Sequence, residues 1–286
     1  MSANVSASRA VSIRDALYEA PGPKTRAKIH VGTAVTAVLV ALLLGFVVYQ
    51  FWATGQLDPR YWMFFTQLST WSYLLAGLRG TLTVALTAGA IALVLGLLLM
   101  LGRTSGIRPI EALCRVVTDF FRGVPSLLLI YFFFLVVPQY SIRMSSFWML
   151  TLPVALAASG VLAEVFRAGV NAVPRGQTEA ALALGMRPFR VKLKIVLPQA
   201  IRYVIPSLIS QLVVVVKDTT VAYVVSYPDM LQNARVLITN YDALVSTYLV
   251  VAVIYILLNY AINQLSVYVA RRSGTRVVSR YSTNPA

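Results

Sequence analysis

Few residues in this sequence can carry chemistry, and their spacing narrows what that chemistry is. There is one cysteine, Cys114, and one histidine, His30. That excludes an internal disulfide and a Cys-rich metal site, and leaves almost nothing for His-based catalysis. The sequence has no glycine-rich phosphate loop ending in Lys-Ser/Thr, no His-Glu-x-x-His and no Gly-x-Ser-x-Gly. No catalytic residue and no metal site is therefore assigned. Three constellations remain. The first is Glu179-Ala180-Ala181, followed by Gly185 and then Ile195-x-Leu197-Pro198, inside a basic, partly polar interval. The second is Lys217-Asp218, which interrupts an otherwise apolar run with Gln211, Thr219 and Thr220 nearby. The third is Glu164, with Arg167 one turn on and Arg122 upstream.

The first constellation reads as a structured elbow. Residues 176–186 are predicted to form a short helix, with Pro174 and Gly176 ending the preceding segment and Gly185 supplying a left-handed exit. Ala180, Ala181 and Leu184 would form a compact apolar face suited to a groove. Glu179, expected near the helix start, would be a charged anchor favoured by the helix dipole. The second constellation supplies donors: Lys217 is the only basic residue well inside an apolar run, which suits an anionic or amphoteric ligand. Adjacent helical residues do not face each other, so Asp218 is expected to bond backbone or hydroxyls at a helix break. Gln211, two turns before Asp218, shares its face. In the third, Glu164 pairs with Arg167 at i,i+3 or meets Arg122 across helices, and Arg122 is a gate group or an interfacial arginine reaching for water. Asp119 is expected to cap a helix start.

The elements that must position these residues are membrane helices. The chain of 286 residues is 58% hydrophobic and only 12% charged, about half the charged share of a soluble domain. Its apolar material lies in runs long enough to cross a bilayer core as helices. Six spans are predicted, at about 31–50, 76–101, 121–137, 148–168, 202–226 and 244–269. Residues 103–115 are read as a polar hinge, and 51–74, rich in Trp, Tyr and Phe, as an interfacial external segment. Pro206 is expected to kink the fifth span near its beginning and Pro228 to end it. The formal charge of +15 would suggest nucleic acid in a soluble protein. Here it sorts by side. With residue 1 inside, the outer segments hold only Arg60, Arg79, Arg143 and Arg235, Lys217 lies in a span, and every other Lys and Arg falls on the inner side. The positive-inside rule then places both termini and the Glu179 elbow in the cytoplasm, with no nucleic-acid partner implied.

The elbow carries a resemblance. Glu179-Ala180-Ala181-x-x-x-Gly185, with Ile195-x-Leu197-Pro198 beyond, resembles the cytoplasmic loop of bacterial ATP-binding-cassette importer permeases. The flanks resemble the polar amino-acid branch: Ala163-Glu164-Val165-Phe166-Arg167-Ala168-Gly169, Val173-Pro174-x-Gly176-Gln177, Leu197-Pro198-Gln199-Ala200, Pro206 and Lys217-Asp218-Thr219-Thr220. So do Gly77-Leu78-x-Gly80-Thr81-Leu82 and Arg122-Gly123-Val124-Pro125. Residues 17–24 resemble the start of actinobacterial glutamate-importer permeases, which carry an extra leading helix. The resemblance implies an all-α polytopic membrane protein with the transmembrane-subunit fold of type I importers, five core helices plus one N-terminal helix. The parts would be a basic cytoplasmic tail (1–30), the extra helix and external segment (31–74), the permease domain (75–270) with its coupling loop at 170–200, and a basic tail (271–286).

By the same resemblance Gly176, Glu179, Ala180, Ala181, Leu184 and Gly185 engage an ATPase, while Lys217, Asp218, Thr219, Gln211 and Thr220 line the substrate path. Glu164, Arg167 and Arg122 are gate or structural residues. The implied partners are two ATP-binding subunits that hold ATP and Mg, a second permease of related sequence, an extracytoplasmic solute-binding protein and membrane lipid. This chain itself binds no cofactor. The cargo is a polar amino acid, L-glutamate first, with glutamine, aspartate or arginine as alternatives, and the location is the bacterial plasma membrane. Two other classes compete. An ion-coupled carrier would need an inverted repeat or helices broken at midplane, and a non-transporting scaffold would leave the polar cluster at 217–220 idle.

Overall fold

The structure is a computed structural model that describes residues 22–272; expectations for 1–21 and 273–286 lie outside them. All described elements are helical. The chain divides into two compact units, residues 1–58 and 59–286. The first holds α1 (Pro23–Ala53), whose apolar residues run round its whole circumference, as in a lipid-facing span. Pro23 sits at its N-terminus, where the missing amide costs nothing.

The second unit begins with two 3-10 turns, Pro59–Tyr61 and Met63–Thr66, and continues into α2 (Leu68–Arg103). The segment expected to lie along the membrane is therefore shorter, and the second span starts earlier, than the hydropathy suggested. Next come α3 (Arg108–Gly123), α4 (Ser126–Tyr131, prolonged by a π turn and a 3-10 turn to Tyr140) and α5 (Ser146–Ala172). A short α6 (Arg175–Ala183) and α7 (Pro188–Val191) follow. A π turn, Lys192–Val196, leads into α8 (Leu197–Asp218), which tightens to a 3-10 helix over Thr219–Val225. α9 (Met230–Tyr241) and α10 (Leu244–Arg272) complete the described chain. Among the described residues, five helical stretches are long and apolar enough to cross a membrane, six if the bent pair α3–α4 counts as one.

That pair corrects the sequence reading. Residues 103–115 are mostly helix rather than hinge, and the chain turns by 98° between Gly123 and Ser126. The cause is local: Pro125 disfavours helical geometry at Val124, and Val124 and Pro125 are both extended. Asp119 lies within α3 and faces Arg122 at 3.6 Å, so it is not a cap.

α5 is the centre of the unit. It packs against α2, α8, α3 and α4, with the broadest contact to α2. Its seam carries Val154, Ala155, Ala158 and Leu162, which meet Ala85, Ala88 and Ala92 of α2 in one core. Small residues let the backbones approach, as membrane helices require when lipid supplies no hydrophobic drive. At Gly160 a Cβ would stand 2.9 Å from the Thr118 carbonyl oxygen and 2.8 Å from the Arg122 nitrogen. α8 completes the bundle with α10, where Ser266 donates to the Pro206 carbonyl at 3.0 Å.

Candidate functional site

The elbow is a short helix with a defined stop. α5 ends at Ala172, Val173 and Pro174 turn extended, and α6 starts at Arg175. Gly176 is thus inside α6 rather than a terminator of α5, and Glu179 sits mid-helix, away from the N-terminal dipole. Gly185 adopts φ +77°, a conformation that costs glycine nothing. Its N–H donates to Leu182 at 2.9 Å and the Met186 N–H to Ala181 at 3.2 Å, a Schellman ending that fixes the exit of the chain.

The two faces of α6 differ. Ala181 is 5% exposed and turns into a satellite core with Val173, Val191, Val196 and Ala200. The apolar face expected from Ala180, Ala181 and Leu184 is corrected accordingly: Ala181 seats the helix on its own chain. Glu179 and Ala180 point outward, Leu184 is 84% exposed, and Phe189 beside it is 68% exposed. Sequence reasoning missed Phe189, whose signal was an aromatic next to Pro188 in a basic loop. Glu179, Thr178, Arg175, Leu182 and Lys192 border a groove of about 710 Å³. Gln199 donates to Gln177 at 3.4 Å and to Ile195 at 2.9 Å, linking α6 to the start of α8.

Beside the elbow, Glu164 gathers three arginines. Its Oε1 lies 2.5 Å from Arg103 and 3.4 Å from Arg122, and its Oε2 is 2.7 Å from Arg167. Both partners foreseen for Glu164 are present. Arg103 at the end of α2 was not foreseen, because 61 residues separate it from Glu164 and its charge had been read only as an orientation signal. The carboxylate ties the ends of α2 and α3 to α5.

At the polar cluster, Asp218 is the last residue of α8 before the 3-10 segment, and its carboxyl meets the Ser126 hydroxyl at the start of α4. A hydroxyl partner at a helix break is what the sequence implied. Lys217 is exposed on the outer face of the helix. Thr220 is partly exposed and donates to the Lys217 carbonyl at 2.6 Å. Thr219 is 0% exposed, donating to Val216 at 2.8 Å, so it presents nothing to a ligand in this conformation. Gln211 lines an apolar groove of about 340 Å³ with Leu86, Gly89, Leu208 and Val215. The structure thus brings Asp218 to Ser126 but places Gln211 and Thr219 in separate settings.

At the other end of α2, the segment before α9 is seated on glycine. A Cβ on Gly80 would lie 2.5 Å from the Pro228 carbonyl oxygen, and one on Gly77 2.8 Å from that of Asp229. Thr81 accepts from the Met230 N–H at 3.1 Å and Asn233 donates to the Tyr73 carbonyl at 2.8 Å. Asp229 is fully buried and caps α9 by accepting from Gln232 at 2.7 Å. Burial pushes its carboxyl up to about 6, against the opposing pull of the Gln232 and Leu231 amides and the Arg235 charge.

The family described as binding-protein-dependent transport system inner membrane component matches residues 92–274, and the chain belongs to it. It is an amino-acid ABC transporter permease, a transport component rather than an enzyme. The chain is 38% identical over 226 residues to the glutamate transport system permease protein of Corynebacterium glutamicum, covering 76% of this chain and 81% of that one. It is 31% identical over 212 residues to the glutamate/aspartate import permease protein of Escherichia coli O157:H7, covering 70% and 93%. Among solved structures, an amino acid ABC transporter crystallised with histidines aligns with TM-score 0.69 and 26% identity, covering 73% of this chain and 98% of that one. A methionine ABC transporter in an inward-facing conformation shares the fold with TM-score 0.61 and 18% identity, over 72% and 99%.

Proposed function

We propose that this permease carries L-glutamate into the cell, driven by ATP hydrolysed in two separate ATP-binding subunits that also hold the Mg. The elbow, α6 with Leu184, Phe189 and Glu179 outward, is the cytoplasmic coupling element on which one such subunit closes. A related permease stands beside this chain, an extracytoplasmic solute-binding protein delivers the amino acid, and both termini are cytoplasmic. The observation that carries the reading is the two-faced elbow: one side locked into its own chain by Ala181, the other exposing large apolar side chains from a segment with a fixed exit. Such a piece transmits force as a rigid body. The glutamate relatives support the cargo, and Lys217 supplies the positive group an acidic amino acid requires.

The test is uptake by the reconstituted complex with its solute-binding protein. Glu179→Lys is expected to abolish ATP-dependent uptake while the solute-binding protein still binds its ligand, and excess unlabelled glutamate is expected to compete best among polar amino acids. Uptake that persists without ATP, driven by an ion gradient alone, would sink the reading. Better competition by glutamine or arginine would overturn the cargo and leave the coupling standing.

A further inference from the structure

The coupling segment is joined to α5 and α8 by the chain itself, but α2 and α3 are remote in sequence. One side chain reaches them. Lys192 opens the π turn after α7, and its Nζ donates to the Thr104 carbonyl, 88 residues away. Thr104 caps the C-terminus of α2, where carbonyls lack amide partners and carry the negative end of the helix dipole. Glu111, in the first turn of α3, sets a second negative charge against the same ammonium. Glu111 also accepts from the Gly106 N–H at 2.8 Å, and Ser105 accepts from the Ile107 N–H at 3.2 Å. Two groups of the α2–α3 turn, the Thr104 carbonyl and the Glu111 carboxylate, thus act on Lys192.

We propose that Lys192 is a positioning residue of the transport cycle, clipping the α2–α3 turn to the coupling segment so that the two move together. This rests on the coupling role given above to α6. Without the clip, a push on the elbow reaches α2 and α3 only indirectly, through α5 and the long side chains around Glu164, and ATP is spent without transport. The ammonium can do this because it bonds a main-chain carbonyl, so the grip is on the backbone itself. A charge-assisted bond of this kind is stronger than a neutral one.

The experiment uses the full complex in proteoliposomes and reads ATP hydrolysed per amino acid imported. Lys192→Met keeps the apolar stem and removes the donors; it is expected to raise that ratio about tenfold or more, the lower limit of what one charged hydrogen bond is worth. Lys192→Arg, which restores charge and donors, should bring it back towards wild type. An independent readout places spin labels at Arg108→Cys and Arg190→Cys in a Cys114→Ala background. With Lys192 present, the label separation should be the same in nucleotide-free and ATP-trapped complexes, and with Lys192→Met it should change between them. A wild-type ratio in Lys192→Met overturns the proposal. So does a label separation that shifts on ATP binding while Lys192 is present, and this holds even if Lys192→Met fails to assemble. A native complex with no ATP-dependent uptake at all is a different result, which refutes the coupling reading itself.

Discussion

Replacing Glu164 by glutamine keeps its size and removes the one negative charge that Arg103, Arg122 and Arg167 share. The three arms are unequal. Glu164 and Arg103 are 18% and 14% exposed and meet at 2.5 Å, whereas Arg122 and Arg167 are 50% and 43% exposed. Breaking a buried pair from one side costs about 3–5 kcal/mol because the remaining charge keeps its desolvation cost. Exposed pairs contribute about 0–1 kcal/mol each. The Arg103 arm should therefore dominate, and Glu164→Gln should cost roughly 3–5 kcal/mol in all.

For a unit of this size about 1 kcal/mol moves Tm by 2–4 °C, so thermal unfolding of purified protein should fall by roughly 6–20 °C. Arg122→Gln, which removes only a long, exposed arm, should shift it by no more than about 4 °C. A double-mutant cycle should find strong coupling between positions 103 and 164 and little between 122 and 164. A Glu164→Gln protein that melts with wild type, or an Arg122→Gln protein that melts lower than Glu164→Gln, would show that the hub does not hold these helix ends.

Two further outcomes separate roles that lie close together. Because the Asp229 carboxyl is raised from 3.8 to about 6, the native state holds its proton more tightly than the unfolded chain. Its stabilising effect is complete below about pH 3.8 and is lost as pH rises through about 6. The wild type should therefore lose about 2 kcal/mol more than Asp229→Asn between pH 4.5 and 7.5, since asparagine keeps the cap without the charge; equal pH profiles in denaturant unfolding refute this. On α6, Ala181→Leu overfills the satellite core and should destabilise the protein by about 1–3 kcal/mol. Leu184→Asp, on an exposed position, should leave the melting curve within about 0.5 kcal/mol of wild type yet lose co-purification with the ATP-binding subunit. The reverse pattern would mean the two faces have been assigned the wrong way round.

Local rules made parts of this protein legible. Gly185 announced the end of α6 because a left-handed exit is a property of one residue, and long apolar runs announced α5 and α10 because hydropathy reports removal from water, whether into lipid or into the bundle. The same measure was blind to α3, whose Arg, Glu and Asp residues place one face in water, so a helix was read as a hinge. Partners far apart in sequence were also hidden: nothing near Arg103 points to Glu164, and nothing near Lys192 points to Thr104. Ala181 shows a subtler limit. Its spacing put it beside Ala180 and Leu184 in the motif, but only the packing of Val173, Val191 and Val196 decides which side of α6 turns inward.

The two ends of α2 are held by different physics, and the difference bears on how motion can pass through the bundle. Around Glu164, at the Arg103 end, the contacts are ionic and reach through long side chains: three guanidinium groups on one carboxylate. Flexible stems let such contacts follow a displaced partner or exchange one acceptor for another. At the Gly77 end the contact is backbone on backbone, with no room for even a methyl group at Gly80. A packed seat of that kind has no intermediate positions. A displacement of α5 against α2 can therefore be taken up by degrees among the charges near Glu164. Beyond them, the Pro228–Asn233 segment has to travel with α2 or break away from it, and Gly80→Ala would loosen that seat without touching a single charge.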